Sequence, residues 1–555
     1  MTSVVTAGGV SVTLRGDAVD QGETVLDRLA YDGVPRSLAA GGTTLWGPDA
    51  APLAARRLGW LELPRTARPL AARLAGLTGA ARGAGLDRVV LCGTGGSVLA
   101  AEVIARSAGA ALTVLDTTDP HQVGAALAGG LARTLVVVSS RSGTGVAADA
   151  LRRIFERAFA EAGIGGDDLA GRFVAVTDLG TPLNDLAVEA GYHIVHSEPD
   201  VGGRYGALGA AGLVPAALAG VDAARLLDEA AALVPALDQP YDNPPLALGA
   251  ALAASALGGR DKLVLADHGS GLPGLAGWVE QLVAGATGKD GRGLLPVVLD
   301  GAHDPGFELT GDLRRVVLGS RPDEPGPGRE AGISVAGPLG AQFLLWEYAT
   351  AIAGRVLGVD PFGAPDEAAS AAGTAALLRS EEGAAPTVVS SPAVLVSGAV
   401  EVHGPEGLLK GVKDLSGVLD ALLAAPPDGG YLAVLAFLDR DGDARAAELR
   451  TLLAARAAQV RRKPVPVTFG WGPRFLHATG QYHKGGPQNG AFLQITGAVM
   501  RDLPVPGRPY SLAELQLAQA FGDLRALRSL GRPVVRLHLR DRAEGVAQLV
   551  EALKD

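Results

Sequence analysis

Cysteine is nearly absent from this 555-residue chain: Cys92 stands alone, so no intramolecular disulfide can form, and a reducing compartment fits. A cationic surface is lacking too. The formal charge of −10 offers nucleic acid no basic face and makes polyanionic partners unexpected, leaving room only for a local anion pocket. No apolar run free of Gly, Pro and charge reaches the roughly 18 to 20 residues of a membrane span, so no membrane association is expected. The first thirty residues contain Arg15, Asp17, Asp20 and Glu23 and no continuous apolar segment, which argues against a signal peptide and for a cytoplasmic protein. Short-period repeats and low-complexity tracts are missing as well.

What is present is apolar periodicity, which persists through a composition drifted toward small residues, with 78 Gly and 35 Pro. The length allows two or three domains. Residues 1 to about 70 mix short alternating runs such as Val10 to Leu14 with proline and glycine, and read as an arm wrapping a domain edge. From 71 to 240 strands alternate with helices: Val89 to Leu91, Thr113 to Leu115, Leu135 to Val138 and Phe173 to Thr177 predict a doubly wound parallel sheet. A second α/β unit over 241 to 385 has strands at Lys262 to Ala266, Leu295 to Leu299 and Arg315 to Leu318, with helices at Leu275 to Ala286 and Gly340 to Val356. Arg321 to Glu330 reads as a loop, and Ser380 to Pro392 as the last boundary. In the remaining 386 to 555, Tyr431 to Phe437, Val465 to Thr468 and Val534 to Leu539 are strand candidates. The two central units look like one architecture used twice.

Chemistry concentrates at two strand-to-helix turns. After the first strand, Gly93, Gly95 and Gly96 permit a sharp turn and close backbone approach, and Ser97 opens a helix whose free N–H groups favour an anion. Val114-Leu115-Asp116 ends the next apolar run where a ribose-binding acid would sit, but Val98 replaces the third glycine of a dinucleotide fingerprint. No glycine turn is followed by Lys-Ser or Lys-Thr, so a Walker loop is absent. After the Leu135 strand comes Ser139-Ser140-Arg141-Ser142-Gly143-Thr144-Gly145, rich in the hydroxyls and charge that a phosphate monoester needs. Paired on successive strands, the two turns point to a sugar phosphate rather than to a solvated serine loop.

Further along are Asp116-Thr117-Thr118-Asp119-Pro120, Gly202-Gly203-Arg204-Tyr205, Glu280-Gln281-Leu282, Ala286-Thr287-Gly288-Lys289, and the long run from Gly472-Pro473-Arg474 through His477-Ala478-Thr479-Gly480-Gln481-Tyr482-His483-Lys484 to Pro487. From about residue 50 to the C-terminus, these motifs resemble bacterial glucose-6-phosphate isomerase, in the branch that also occurs fused to transaldolase. The resemblance implies two sugar isomerase (SIS) sub-domains with parallel sheets and helices on both faces, flanked by N- and C-terminal extensions. It also implies a homodimer with active sites near the subunit interface, and interconversion of glucose 6-phosphate and fructose 6-phosphate without metal or organic cofactor. Residue by residue, it places the phosphate on Gly95, Gly96, Ser97, Ser140, Arg141, Ser142 and Thr144. Arg204 falls beside the reacting carbons, and His477, His483 and Lys484 suit ring opening or hydroxyl recognition.

The chain departs from the family at the proton-transfer base. Where the family has Glu-Ser-Thr-Gly-Lys, this chain has Gly285-Ala286-Thr287-Gly288-Lys289. Glu280 is five residues earlier, about 140° around the helix, which suits a supporting role. Asp267, Asp290 and Glu347 are further carboxylates without a specific argument. A hydroxyl and an acid are lost after Gly143, Gly206 replaces a serine, and Pro361 to Asp366 lacks a polar pair. Three readings remain open: an active isomerase with a relocated base, an impaired paralogue that binds a sugar phosphate in a regulatory or scaffolding role, and an isomerase of another phosphosugar.

Overall fold

The computed structural model describes residues 1–299, 311–319, 332–379 and 392–554. The loop Arg321 to Glu330 and all but the last residue of the Ser380 to Pro392 boundary lie outside the described residues. The chain opens with an antiparallel hairpin, β1 (Thr2–Ala7) and β2 (Val10–Arg15), turned by Gly8 and Gly9 in the left-handed region. A helical segment follows, and then five parallel strands: β3 (Arg88–Gly93), β4 (Leu112–Leu115), β5 (Thr134–Ser139), β6 (Phe173–Thr177) and β7 (His193–His196). Their order is β4-β3-β5-β6-β7. Along β3, Val89 and Leu91 enter one core and Val90 and Cys92 another, so helices cover both faces of this sheet. Strand order reverses between β3 and β5, which brings the loops leaving these two strands together at the carboxyl edge, where open α/β sheets bind ligands.

A second sheet is built from β8 (Lys262–His268), β9 (Leu295–Leu299), β10 (Leu313–Gly319) and β11 (Gly332–Ala336), all parallel, in the order β9-β8-β10-β11. The N-terminal hairpin completes it, with β2 antiparallel to β11. The arm expected at a domain edge is therefore part of a sheet whose other strands are some 250 residues away in sequence. The C-terminal region forms a third sheet with the same plan. Another hairpin, β12 (Leu395–Ser397) and β13 (Val400–His403), lies antiparallel beside the last strand of β14 (Tyr431–Phe437), β15 (Val467–Trp471), β16 (Gly490–Gly497) and β17 (Val534–Leu539). The order β15-β14-β16-β17-β13-β12 repeats that of the second sheet strand for strand.

Alternation along the strands joins these layers. Leu432, Val434 and Ala436 of β14 face the third sheet's own helices. Tyr431, Ala433, Leu435 and Phe437 instead enter a core shared with Val264 of β8, Val297 of β9 and Ala284 of the helix Leu275–Thr287. The strands β1, β7, β11, β12, β13 and β16 were not expected from the sequence, β15 begins two residues further on than the expected Val465 to Thr468, and the strands before the two turns extend the expected ones by one or two residues at each end.

The helices Pro244–Leu257 and Leu339–Leu357 cross closely in the core beside the second sheet. Gly249 permits that approach, because a Cβ there would lie 2.7 Å from the Ala349 carbonyl oxygen and 2.8 Å from the Ile352 Cβ. Gly249→Ala is expected to destabilise the fold by about 1–3 kcal/mol through overpacking, read as a lowered midpoint in thermal denaturation.

Candidate functional site

At the carboxyl edge of the first sheet, β3 runs into a turn that needs its glycines. A Cβ at Gly93 would lie 2.6 Å from the Ser139 carbonyl oxygen, and Gly95 has φ +101°. The helix Gly96–Ser107 begins there, with Ser97 buried in its first turn. A Cβ at Gly96 would lie 2.5 Å from the Gln281 side-chain oxygen. Gln281 is fully buried and, among the described residues, both of its amide atoms are unpartnered, so a polar group lines the cleft alongside the helix N-terminus.

Two guanidinium groups flank this cradle. Arg141 comes from the loop after β5, and Arg57 from the N-terminal segment; both line the same cleft of about 280 Å³. Each donates to the Pro199 carbonyl. Arg141 also pairs with Asp178 at 3.1 Å. Burial, and then the neighbouring Arg141, push the Arg57 guanidinium below its ordinary pKa, a penalty that a bound dianion would relieve.

The second turn contributes less than the sequence suggested. Gly143, at φ +66°, turns the loop back, so that Ser140 Oγ accepts from Gly145 N and Ser142 Oγ pairs with Thr144 Oγ1 at 2.9 Å. Ser140 and Thr144 line a separate cavity on the outer side of the loop, with Arg508 and Tyr510, and Ser142 lines neither cavity. The lining of the main cleft takes Ser139 and Arg141 from this turn.

At the other end of the cleft, Arg204 sits in the short helical turn Gly203–Tyr205. Its Nη2 donates to Glu367 Oε1 at 2.9 Å, and its Nη1 to the Gly363 carbonyl at 3.1 Å. The Nδ1 of His477 lies 3.4 Å from Glu367 Oε2. Although burial opposes ionisation, His477 and Arg204 hold the Glu367 carboxyl down at about 2. A Cβ added to Gly285 would lie 2.6 Å from Arg204 Nε, so the arginine occupies space that a side chain at position 285 would enter. Glu198, a second carboxylate lining the cleft, receives Ala210 N with both oxygens.

His477 is thus brought to Arg204, whereas three other expected catalytic residues are not. His483 is buried, with Nδ1 2.9 Å from the Tyr431 hydroxyl and its ring stacked on Tyr431; burial depresses its basicity well below the usual histidine value. Lys484 is paired with Asp523 at 2.8 Å, both side chains 1% exposed, in the core between two helices. Glu280 does not line the cleft, and among the described residues it has no hydrogen bond or ion pair. Partly exposed yet enclosed by protein, its carboxyl is pushed up to about 8 by burial. Asp267 accepts from Ser270 N and Oγ within its own turn, Asp290 is an exposed turn residue, and Glu347 is buried behind Tyr205. Sequence reasoning missed Arg57, Gln281 and Glu367. Of these, Gln281 had a signal, being four residues before Gly285 and hence on the same helix face.

The resemblance to glucose-6-phosphate isomerases is borne out by comparison with known proteins. A probable glucose-6-phosphate isomerase of Haloarcula marismortui is 34% identical over 281 residues, 46% of this chain and 63% of the relative. A glucose-6-phosphate isomerase of Rubrobacter xylanophilus is 32% identical over 295 residues, 50% of this chain and 65% of the relative. The chain thus spans less than two thirds of the length of these relatives. No protein-family profile matches it. The crystal structure of a glucose-6-phosphate isomerase from Chlamydia trachomatis shares the fold, with a TM-score of 0.51 and 18% identity over 65% of this chain and 86% of that one. The parallel-sheet α/β class read from the sequence stands. Among the described residues no helix is long and apolar enough to cross a membrane.

Two predictions separate scaffold from chemistry. Lys484→Met leaves Asp523 buried without its cation and is expected to cost about 3–5 kcal/mol, read by denaturant titration. Glu280 has a folded pKa above its unfolded one, so its contribution to stability declines as pH rises from about 4.5 through about 8. Glu280→Gln should therefore raise the melting temperature at pH 8.5 and leave it unchanged at pH 4.

Proposed function

We propose that this chain, a relative of the bacterial glucose-6-phosphate isomerases, interconverts glucose 6-phosphate and fructose 6-phosphate through ring opening and an enediolate. The observation that carries this reading is that one cleft is lined at one end by an anion cradle and at the other by Arg204, Glu367 and His477. The phosphate would sit on the turn from Gly95 to Ser97, its charge met by Arg57, Arg141 and the helix N-terminus. That anchorage leaves the reacting carbons toward Arg204, whose fixed cation stabilises oxygen charge as the enediolate develops. His477, hydrogen-bonded through one ring nitrogen, keeps the other for moving a proton to or from the ring oxygen. The cytoplasmic homodimer expected from the resemblance belongs to this proposal, although every group named here comes from a single chain.

A second reading has its own observation, the glycine at position 285. On that reading the cleft binds a sugar phosphate without efficient turnover. Coupled turnover of fructose 6-phosphate together with ligand-induced thermal stabilisation discriminates the two, since a ligand stabilises only the state it binds. The proposal expects measurable turnover that falls at least about 100-fold in Arg204→Ala. Stabilisation by fructose 6-phosphate without turnover in the wild type would replace it with the binding reading. Arg57→Ala is expected to raise KM about tenfold or more, with a smaller effect on kcat, because it acts on the phosphate rather than on the reacting carbons.

A further inference from the structure

An isomerase of this kind must move a proton between C2 and C1, and the helix face that would carry the base is bare at Gly285. The cleft nevertheless holds a carboxylate from elsewhere. Of the two that line it, Glu198 has both oxygens bound by Ala210 N at the start of a helix. Glu367 lines the cleft from the first residue of the helix Glu367–Leu378 and pairs with Nη2 of Arg204, the arginine whose Nε borders Gly285. Its backbone is held firmly. The helix packs against Leu512–Ser529 where a Cβ at Gly373 would lie 3.0 Å from the Gly522 Cα. One turn on from Glu367, Ser370 Oγ donates to Asp523 Oδ1 at 3.0 Å, and the same oxygen receives Lys484 Nζ.

Resting on the isomerase reading, we infer that Glu367 is the proton-transfer carboxylate of this chain, a catalytic residue supplied by a different helix in compensation for Gly285. In the open-chain aldose the C2–H bond breaks and its proton goes to Glu367. The bonding pair becomes the C1=C2 bond, and the carbonyl π pair moves to O1. A proton passes from O2 to O1 by way of His477. Glu367 then returns its proton to C1 while C2=O forms, so nothing is oxidised or reduced overall. Arg204 couples the two halves of the step. At rest it pairs with Glu367, and as charge grows on O1 and O2 it can shift its hydrogen bonds to those oxygens, freeing the carboxylate to accept the proton.

The test compares wild type, Glu367→Gln, and Glu367→Gln combined with Gly285→Glu. It follows hexose phosphate turnover, solvent deuterium incorporation at C1 and C2 by NMR, and thermal stabilisation by 6-phosphogluconate as a binding readout. The expected result is a 10²- to 10⁴-fold loss of both exchange and turnover in Glu367→Gln, with stabilisation by 6-phosphogluconate retained and part of the exchange restored in the double variant. Wild-type exchange in Glu367→Gln would overturn the assignment while leaving the isomerase reading intact. Loss of exchange together with loss of 6-phosphogluconate stabilisation would overturn it in favour of a positioning role. A wild type that is stabilised by the ligand but exchanges no deuterium would overturn the isomerase reading and the assignment with it.

Discussion

The cleft depends on one ionic contact, the Glu367 carboxylate held between Arg204 and His477. These side chains come from three separated parts of the chain, and their contact ties the first sheet's carboxyl edge to the second and third sheets. Since Glu367 is buried enough for desolvation to oppose its ionisation, the two partners must outweigh that cost, which they do by holding the carboxyl at about 2. The same contact places Arg204 over Gly285. One guanidinium thus borders Gly285 on one helix and pairs with a carboxylate at the start of another.

The other end of the cleft is built differently, from close backbone approach together with the Arg141–Asp178 pair. Gly93 and Gly96 let a strand end and a helix start approach the next strand and Gln281 at distances that no Cβ would allow. The Gln281 amide, unpartnered among the described residues, and the neighbouring Arg57 and Arg141 leave this end polar. A ligand with a dianionic head and a neutral, hydroxyl-rich body matches such a division: it satisfies the cradle at one end without bringing a second charge to the crowded contact at the other.

Around this cleft the fold repeats itself. The second and third sheets share one strand order, each closed by an antiparallel hairpin, and they bury a common core. Within the third sheet's segment, the run from Arg474 to Lys484 divides between cleft and core. His477 reaches the cleft, while His483 and Lys484 lock Tyr431 and Asp523 in place beneath it. Through Asp523 and Ser370, the buried lysine steadies the helix that begins with Glu367. The His483 and Lys484 side chains are both buried and paired away from the cleft lining.

Local pattern by itself determined much of this. The apolar runs at Val89 to Leu91, Leu135 to Val138 and Tyr431 to Phe437 are strands because buried parallel strands are continuous in hydrophobicity, and the turn after β3 is rich in glycine because no Cβ fits at Gly93 or Gly96 and Gly95 has a positive φ. Arg204 and His477 were legible from the motifs that carry them. Tertiary structure decided the rest. It joined the hairpin Thr2 to Arg15 to strands that follow far along the chain, and it turned Ser140, Ser142 and Thr144 out of the cleft. It buried His483 and Lys484, and it brought Arg57 and Glu367 in. Neither of those two residues has a local signal, since an arginine in a helical segment and a glutamate at a helix start are ordinary residues whose roles depend on what faces them. Spacing along the chain constrains neighbours within a turn or a strand, whereas which side chains meet across 163 residues, as Arg204 and Glu367 do, is set by how the sheets pack.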